Sequence, residues 1–153
     1  MTTFSSLVTP ADILLDLDAA DADALFQAIG ARWSRVRDLT NADVAECLRA
    51  REKLGSTALG QGVAIPHARI AGLALAVAAV VRLARPIPFN APDNLPIDTC
   101  LVLLVPEAAT EEHLRILGEA AEMLSLHRFR EQLKACKNAD EVIALLGTSR
   151  GRS

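Results

Sequence analysis

Leu75-Ala-Val-Ala-Ala-Val-Val-Arg-Leu83 and Thr99-Cys-Leu-Val-Leu-Leu-Val105 decide the fold. Both are nearly continuous apolar runs bounded by prolines, without the polar–apolar alternation of a strand that has one face in water. Runs of this kind fit strands at the centre of a sheet covered on both faces. The stretch between them, Arg85-Pro-Ile-Pro-Phe-Asn-Ala-Pro-Asp-Asn-Leu-Pro-Ile-Asp98, carries four prolines and reads as an irregular connection or an edge hairpin.

Outward from this pair, Asp12–Leu17 reads as a short strand. A helix follows, with Ala22, Leu25, Phe26, Ile29 and Trp33 at the spacing of one buried face. Thr40 or Asn41 can cap a second helix over residues 41–54, which stops at Gly55. Downstream, Thr110 caps a helix that runs to about Ser125, with Glu111 and Glu112 in the first turn where the dipole favours acids. Shorter helices are expected over Arg128–Ala135 and Ala139–Leu146, the second closed by Gly147. Interleaved strands and helices predict one α/β (mixed α+β) domain over residues 1–147, a central mixed sheet flanked by helices on both faces, with 148–153 as a frayed tail.

Composition narrows the function. About half of the 153 residues are apolar, so the chain can bury a core, and with no tyrosine and 3% aromatics that core must be aliphatic. A net charge of −3 with scattered basic residues argues against nucleic acid as a partner. The N-terminus has neither a basic start nor an uninterrupted apolar run, and the apolar stretch Leu73–Val81 is too short to cross a bilayer. A soluble, cytoplasmic protein without membrane insertion is therefore expected. Cys47, Cys100 and Cys136 lie far apart with no paired spacing, which suits buried small hydrophobes in a reducing compartment better than disulfides or zinc.

The loop Gly55-Ser-Thr-Ala-Leu-Gly-Gln-Gly62 invites a nucleotide reading. Gly55 and Gly60 have P-loop spacing, but Gln61 and Gly62 stand where Lys and Ser or Thr are needed. A dinucleotide fingerprint fails because Ile65 occupies the third glycine position. Neither a GxSxG elbow nor an HExxH pair occurs. What remains is His67, placed after Pro66 and a short apolar strand, at the end of a loop whose glycines let backbone N–H groups approach a ligand. A neutral imidazole with one N–H held by a carbonyl is a nucleophile near pH 7, whereas a strand-end histidine that merely packs is the plain alternative.

Two further residues bear on that choice. On the helix after Thr110, Leu114, Leu117, Ala120, Ala121 and Leu124 outline a buried stripe with His113 in its middle, opposite Arg115, Glu119 and Glu122. On the second helix, Val44, Cys47 and Leu48 set a stripe that includes Arg51, while Arg49 points outward. An inward arginine needs an anionic partner, either an internal one such as Asp12, Asp16 or Asp98, or a bound anion. An inward Arg, an inward His and a His beside a glycine loop suit a phosphoryl group, whose oxygens match the guanidinium fork.

The segment Arg51–His67 closely resembles the active-site signature of the mannitol/fructose/nitrogen class of phosphotransferase-system IIA domains. Pro88–Asp98, Leu104-Val-Pro106 and Glu112-His-Leu-Arg-Ile-Leu117 continue the resemblance in order, which covers nearly the whole chain and is greatest to the nitrogen-regulatory members. The resemblance implies a mixed sheet with flanking helices and a phosphoryl group accepted at Nε2 of His67 from an HPr-like phosphohistidine carrier. It makes His113 the second active-site histidine, matches Arg51 to the arginine that stabilises the phosphate, and implies no cofactor and no metal. Gly55, Ser56, Thr57, Gly60 and Gly62 are expected to cradle the phosphate, and His127, outside every family motif, reads as a surface residue. Ala68 departs from the glycine common after the histidine. The output implied is regulation through protein–protein binding; a sugar-specific component passing phosphate to a IIB domain and a non-catalytic binding module are the alternatives. A metal-dependent hydrolase has no ligand spacing in its favour.

Overall fold

A computed structural model describes residues 2–39, 41–108 and 110–150. The chain opens with a short helix α1 (Phe4–Leu7), a 3-10 turn (Pro10–Asp12) and strand β1 (Ile13–Leu17), so Asp12 belongs to the turn before the strand. Helices α2 (Ala22–Val36) and α3 (Asn41–Leu54) follow, α2 capped by Asp21, which accepts the Ala24 N–H at 2.8 Å. The proposed cap Thr40 lies outside the described residues. Three short strands come next, β2 (Ala58–Gly60), β3 (Val63–Ala64) and β4 (His67–Ile70). The β2–β3 turn is the pair Gln61-Gly62, at φ 59° and 80°, the left-handed backbone that a tight hairpin requires. Strands β5 (Val77–Ile87) and β6 (Ile97–Pro106) precede helices α4 (Glu111–Ser125), α5 (His127–Ala135) and α6 (Ala139–Arg150).

The strands form one mixed sheet in the order β1-β5-β6-β3-β2. β5 and β6 pair antiparallel from Val77↔Leu104 to Ile87↔Ile97, and β1 lies parallel to β5. Along its other side β6 carries β3 and then β4, both parallel, with His67 opposite Leu103. Alternate residues of the central strands serve two cores. Val77, Ala79 and Val81 of β5 and Cys100, Val102 and Leu104 of β6 pack with α2 and α3. Ala78, Val80, Leu101 and Leu103 pack with α1, α4, α5 and α6 on the opposite face. This two-sided burial is why both strands read as continuous apolar runs.

The proline-rich stretch takes the first of its two readings, an irregular connection: its first residues, Arg85-Pro-Ile87, extend β5 past the end of β1, and residues 88–96 cross from one central strand to the next. Two expectations need correction. Leu75 precedes β5 and is 78% exposed. Gly147 does not close the last helix, which runs to Arg150 with the Thr148 hydroxyl donating to Ala144 O at 3.1 Å. Residues 151–153 are outside the described residues. Cys100 and Cys136 are buried as expected, but Cys47 is half-buried.

Candidate functional site

On the side away from β6, β4 has no strand partner among the described residues. Helix α3 covers one face of the sheet here and α4 the other, and a hollow of about 830 Å³ opens between them over β4. His67, Ala68 and Arg69 form its floor, with Leu103 and Val105 of β6 behind. Cys47, Ala50, Arg51 and Leu54 line it from α3, and Thr110, Glu111, His113, Leu114 and Leu117 from α4. His67 and His113, 46 positions apart in sequence, and Arg51 thus meet in one hollow.

His67 is half-buried, and its Nδ1 lies 2.7 Å from Ile65 O. A carbonyl only accepts, so Nδ1 carries the proton and Nε2 is left with a free lone pair. Burial pushes the imidazole below the usual histidine range; the Ile65 carbonyl and the Glu52 charge oppose this, and the Arg51 charge reinforces it. The ring is therefore neutral at pH 7. His113, also half-buried, has the opposite arrangement: its Nδ1 accepts the Thr110 N–H at 3.0 Å, so in the neutral ring the proton sits on Nε2 as a free donor. One histidine offers an electron pair to the hollow, the other an N–H.

Among the described residues Arg51 enters no buried ion pair. Its Nη1 donates to Gly55 O at 2.9 Å, while the internal carboxylates are engaged elsewhere: Asp12 with Arg37, Asp16 with Arg82, and Asp98 with the Thr99 hydroxyl. Helical periodicity placed Arg51 and His113 on inward faces, and the structure refines what that face meets. The face of α4 that enters the core is Ile116, Ala120, Met123 and Leu124. Leu114, expected in the buried stripe, is 68% exposed and lines the hollow together with Leu117. Two adjacent apolar stripes, one for the core and one for the hollow, look like a single broad one in sequence.

The loop residues are not part of the hollow. Gly55, Ser56, Thr57, Gly60 and Gly62 are all absent from its lining. The Thr57 N–H and hydroxyl donate to Glu52, and the Ser56 hydroxyl donates to Phe89 O at 2.7 Å. Gly60 and Gly62 lie against the 88–98 connection: a Cβ on Gly60 would sit 3.1 Å from Asp93 Oδ2, and Gly62 O accepts the Asp98 N–H at 2.9 Å. Asp93 also accepts the Gln61 N–H at 2.9 Å, so the second signature segment braces the hairpin that precedes His67. His127 is exposed at the start of α5.

Arg69 and Leu54 escaped the sequence reading although a signal existed. Arg69 is two positions after His67 on a strand, hence on the same face, and Leu54 continues the helical stripe Cys47–Arg51 by three residues.

Comparisons with known proteins bear on the fold and the family. Residues 6–148 match the family model described as "Phosphoenolpyruvate-dependent sugar phosphotransferase system, EIIA 2". A nitrogen regulatory protein of Pseudomonas aeruginosa is 36% identical over 147 residues, spanning 95% of this chain and 96% of that one. The crystal structure of the nitrogen regulatory protein IIA-Ntr from Neisseria meningitidis superposes with a TM-score of 0.87 at 45% identity, covering 93% of this chain and 97% of the other. The mannitol IIA of Escherichia coli shares the fold at a TM-score of 0.74 and 18% identity, over 91% and 98% of the two chains. The chain belongs to the EIIA 2 family of the phosphoenolpyruvate-dependent sugar phosphotransferase system.

Proposed function

We propose that this protein is a cytoplasmic phosphocarrier that accepts a phosphoryl group at Nε2 of His67 from an HPr-like phosphohistidine protein, in a relay fed by phosphoenolpyruvate. The observation that carries the reading is the hydrogen bond from Nδ1–H to Ile65 O, which leaves Nε2 unprotonated and facing a shared hollow with His113 and Arg51. As the donor's P–N bond breaks, Nε2 of His67 supplies the electron pair for the new one, and no proton has to leave the attacking nitrogen. The positive charge that the ring gains rests on Nδ1–H against the Ile65 carbonyl. The Nε2–H of His113 and the guanidinium of Arg51 are the groups available to the phosphoryl oxygens. No metal or cofactor is required by this scheme.

Relatives named as nitrogen regulatory proteins favour a regulatory output, in which phosphorylation changes binding to other proteins. The family description names a sugar phosphotransferase system, which keeps a sugar-specific component donating to a IIB domain as the second reading. Incubation with phosphoenolpyruvate, the first enzyme and an HPr-like carrier tests the proposal. Wild type is expected to take up one acid-labile phosphoryl group and His67→Ala none, with His113→Ala and Arg51→Ala each slower by roughly 100-fold. Stoichiometric label on His67→Ala contradicts it.

A further inference from the structure

Glu52 is next to Arg51 but faces away from the hollow, and the mechanism above does not use it. Its carboxylate takes both donors of one residue: Oε2 accepts the Thr57 N–H at 2.9 Å and Oε1 accepts the Thr57 hydroxyl at 2.6 Å. Thr57 is 6% exposed, one of the few polar side chains inside the fold. With its N–H and its hydroxyl both held, the residue has no freedom to turn, so its carbonyl has a fixed direction. That carbonyl accepts the Ile65 N–H at 3.0 Å, and the Ile65 carbonyl in turn accepts Nδ1–H of His67 at 2.7 Å. Beyond Ile65, the Pro66 carbonyl accepts the Leu103 N–H at 3.1 Å, which fastens the other side of the segment to the central sheet.

From this chain of contacts we propose that the Glu52–Thr57 clamp positions His67, holding the Ile65 carbonyl where it selects the Nδ1–H form of the imidazole. The inference rests on the reading of His67 as the phosphoryl acceptor. The coupling through Thr57 and Ile65 is mechanical rather than a relay of charge, because in both residues the N–H and the C=O belong to different peptide groups; the Glu52 charge acts on the ring separately, raising its proton affinity. Its consequence is chemical nonetheless. A neutral imidazole has two forms, and only the one with the proton on Nδ1 has an electron pair on Nε2. If the Ile65 carbonyl drifts, the proton moves to Nε2 in a fraction of molecules, and that fraction cannot attack phosphorus. Glu52 and Thr57 are thus positioning residues, and the glycine-flanked loop serves the histidine from behind.

The test combines ¹⁵N NMR of the His67 ring with steady-state phosphoryl transfer from the HPr-like carrier, in wild type, Thr57→Val, Thr57→Ser and Glu52→Ala. Wild type is expected to hold the proton on Nδ1. Thr57→Val, which is isosteric but lacks the hydroxyl, should raise the Nε2–H fraction and lower kcat roughly 10- to 100-fold with the KM for the carrier unchanged. Thr57→Ser should restore both values, and Glu52→Ala, on a half-exposed helix end, reports on the clamp even if Thr57→Val fails to fold. An unchanged ring in a folded Thr57→Val or Glu52→Ala overturns the proposal, as does a loss of rate without a shift of the proton. The ring measurement needs no phosphoryl donor. Should wild-type His67 prove not to be the acceptor, it still decides whether the clamp holds the proton on Nδ1.

Discussion

At the scale of single residues, the chemistry depends on where two protons reside. Ile65 O keeps one on Nδ1 of His67, and the Thr110 N–H excludes one from Nδ1 of His113. Burial lowers the proton affinity of His67, so the ring stays neutral to more acidic pH than a free histidine, whose midpoint is about 6.5. Phosphoryl acceptance should therefore fall to half its value only below pH 6.5; a midpoint at or above 6.5 contradicts the assigned environment. The same shift bears on stability. Because the unfolded chain binds this proton more readily, the contribution of His67 is fully present above the unfolded midpoint and is lost as pH falls through the lowered folded value.

At the scale of elements, the site depends on strands and helices that were legible in sequence to different degrees. The central strands were plain because both faces of β5 and β6 are buried, and α2 showed a clear stripe ending at Trp33. The 88–96 connection was only half legible, since its prolines signal irregularity but do not decide between a plain crossing and an edge hairpin. The two stripes on α4 merged in sequence because a hollow lined with Leu114 and Leu117 has the same apolar signature as a core. The anchor of β1 to α2 was likewise invisible. Asp12 is fully buried, where it accepts from Arg37 at 2.6 Å, from the Trp33 ring N–H at 2.9 Å and from Thr9. Burial alone would raise its pKa, but the Arg37, Thr9 and Trp33 hydrogen bonds outweigh it and hold the carboxyl below its usual range. Asp12→Ala strands Arg37 and the indole, and is expected to cost about 3 kcal/mol, a Tm loss of roughly 6–12 °C by calorimetry. A loss under 1 °C would show that the network contributes nothing net.

At the scale of the whole molecule, a sheet edge left open between two helices makes an acceptor that another protein can reach. Leu54 is 84% exposed and Leu114 68%, and they stand on opposite walls of the hollow as an apolar rim around His67. A donor docking there would cover both. Leu54→Asp should raise the KM for the carrier about tenfold, equivalent to roughly 1.4 kcal/mol, while leaving Tm unchanged because the side chain is already in water. An unchanged KM places the docking surface elsewhere. The most direct measurement is the position of phosphorus on the protein after transfer from the HPr-like carrier, read by ³¹P–¹⁵N correlation NMR. The geometry requires the phosphoryl group on Nε2 of His67, with Nδ1 still protonated. Phosphorus on Nδ1 of that ring, or on any other residue, contradicts it.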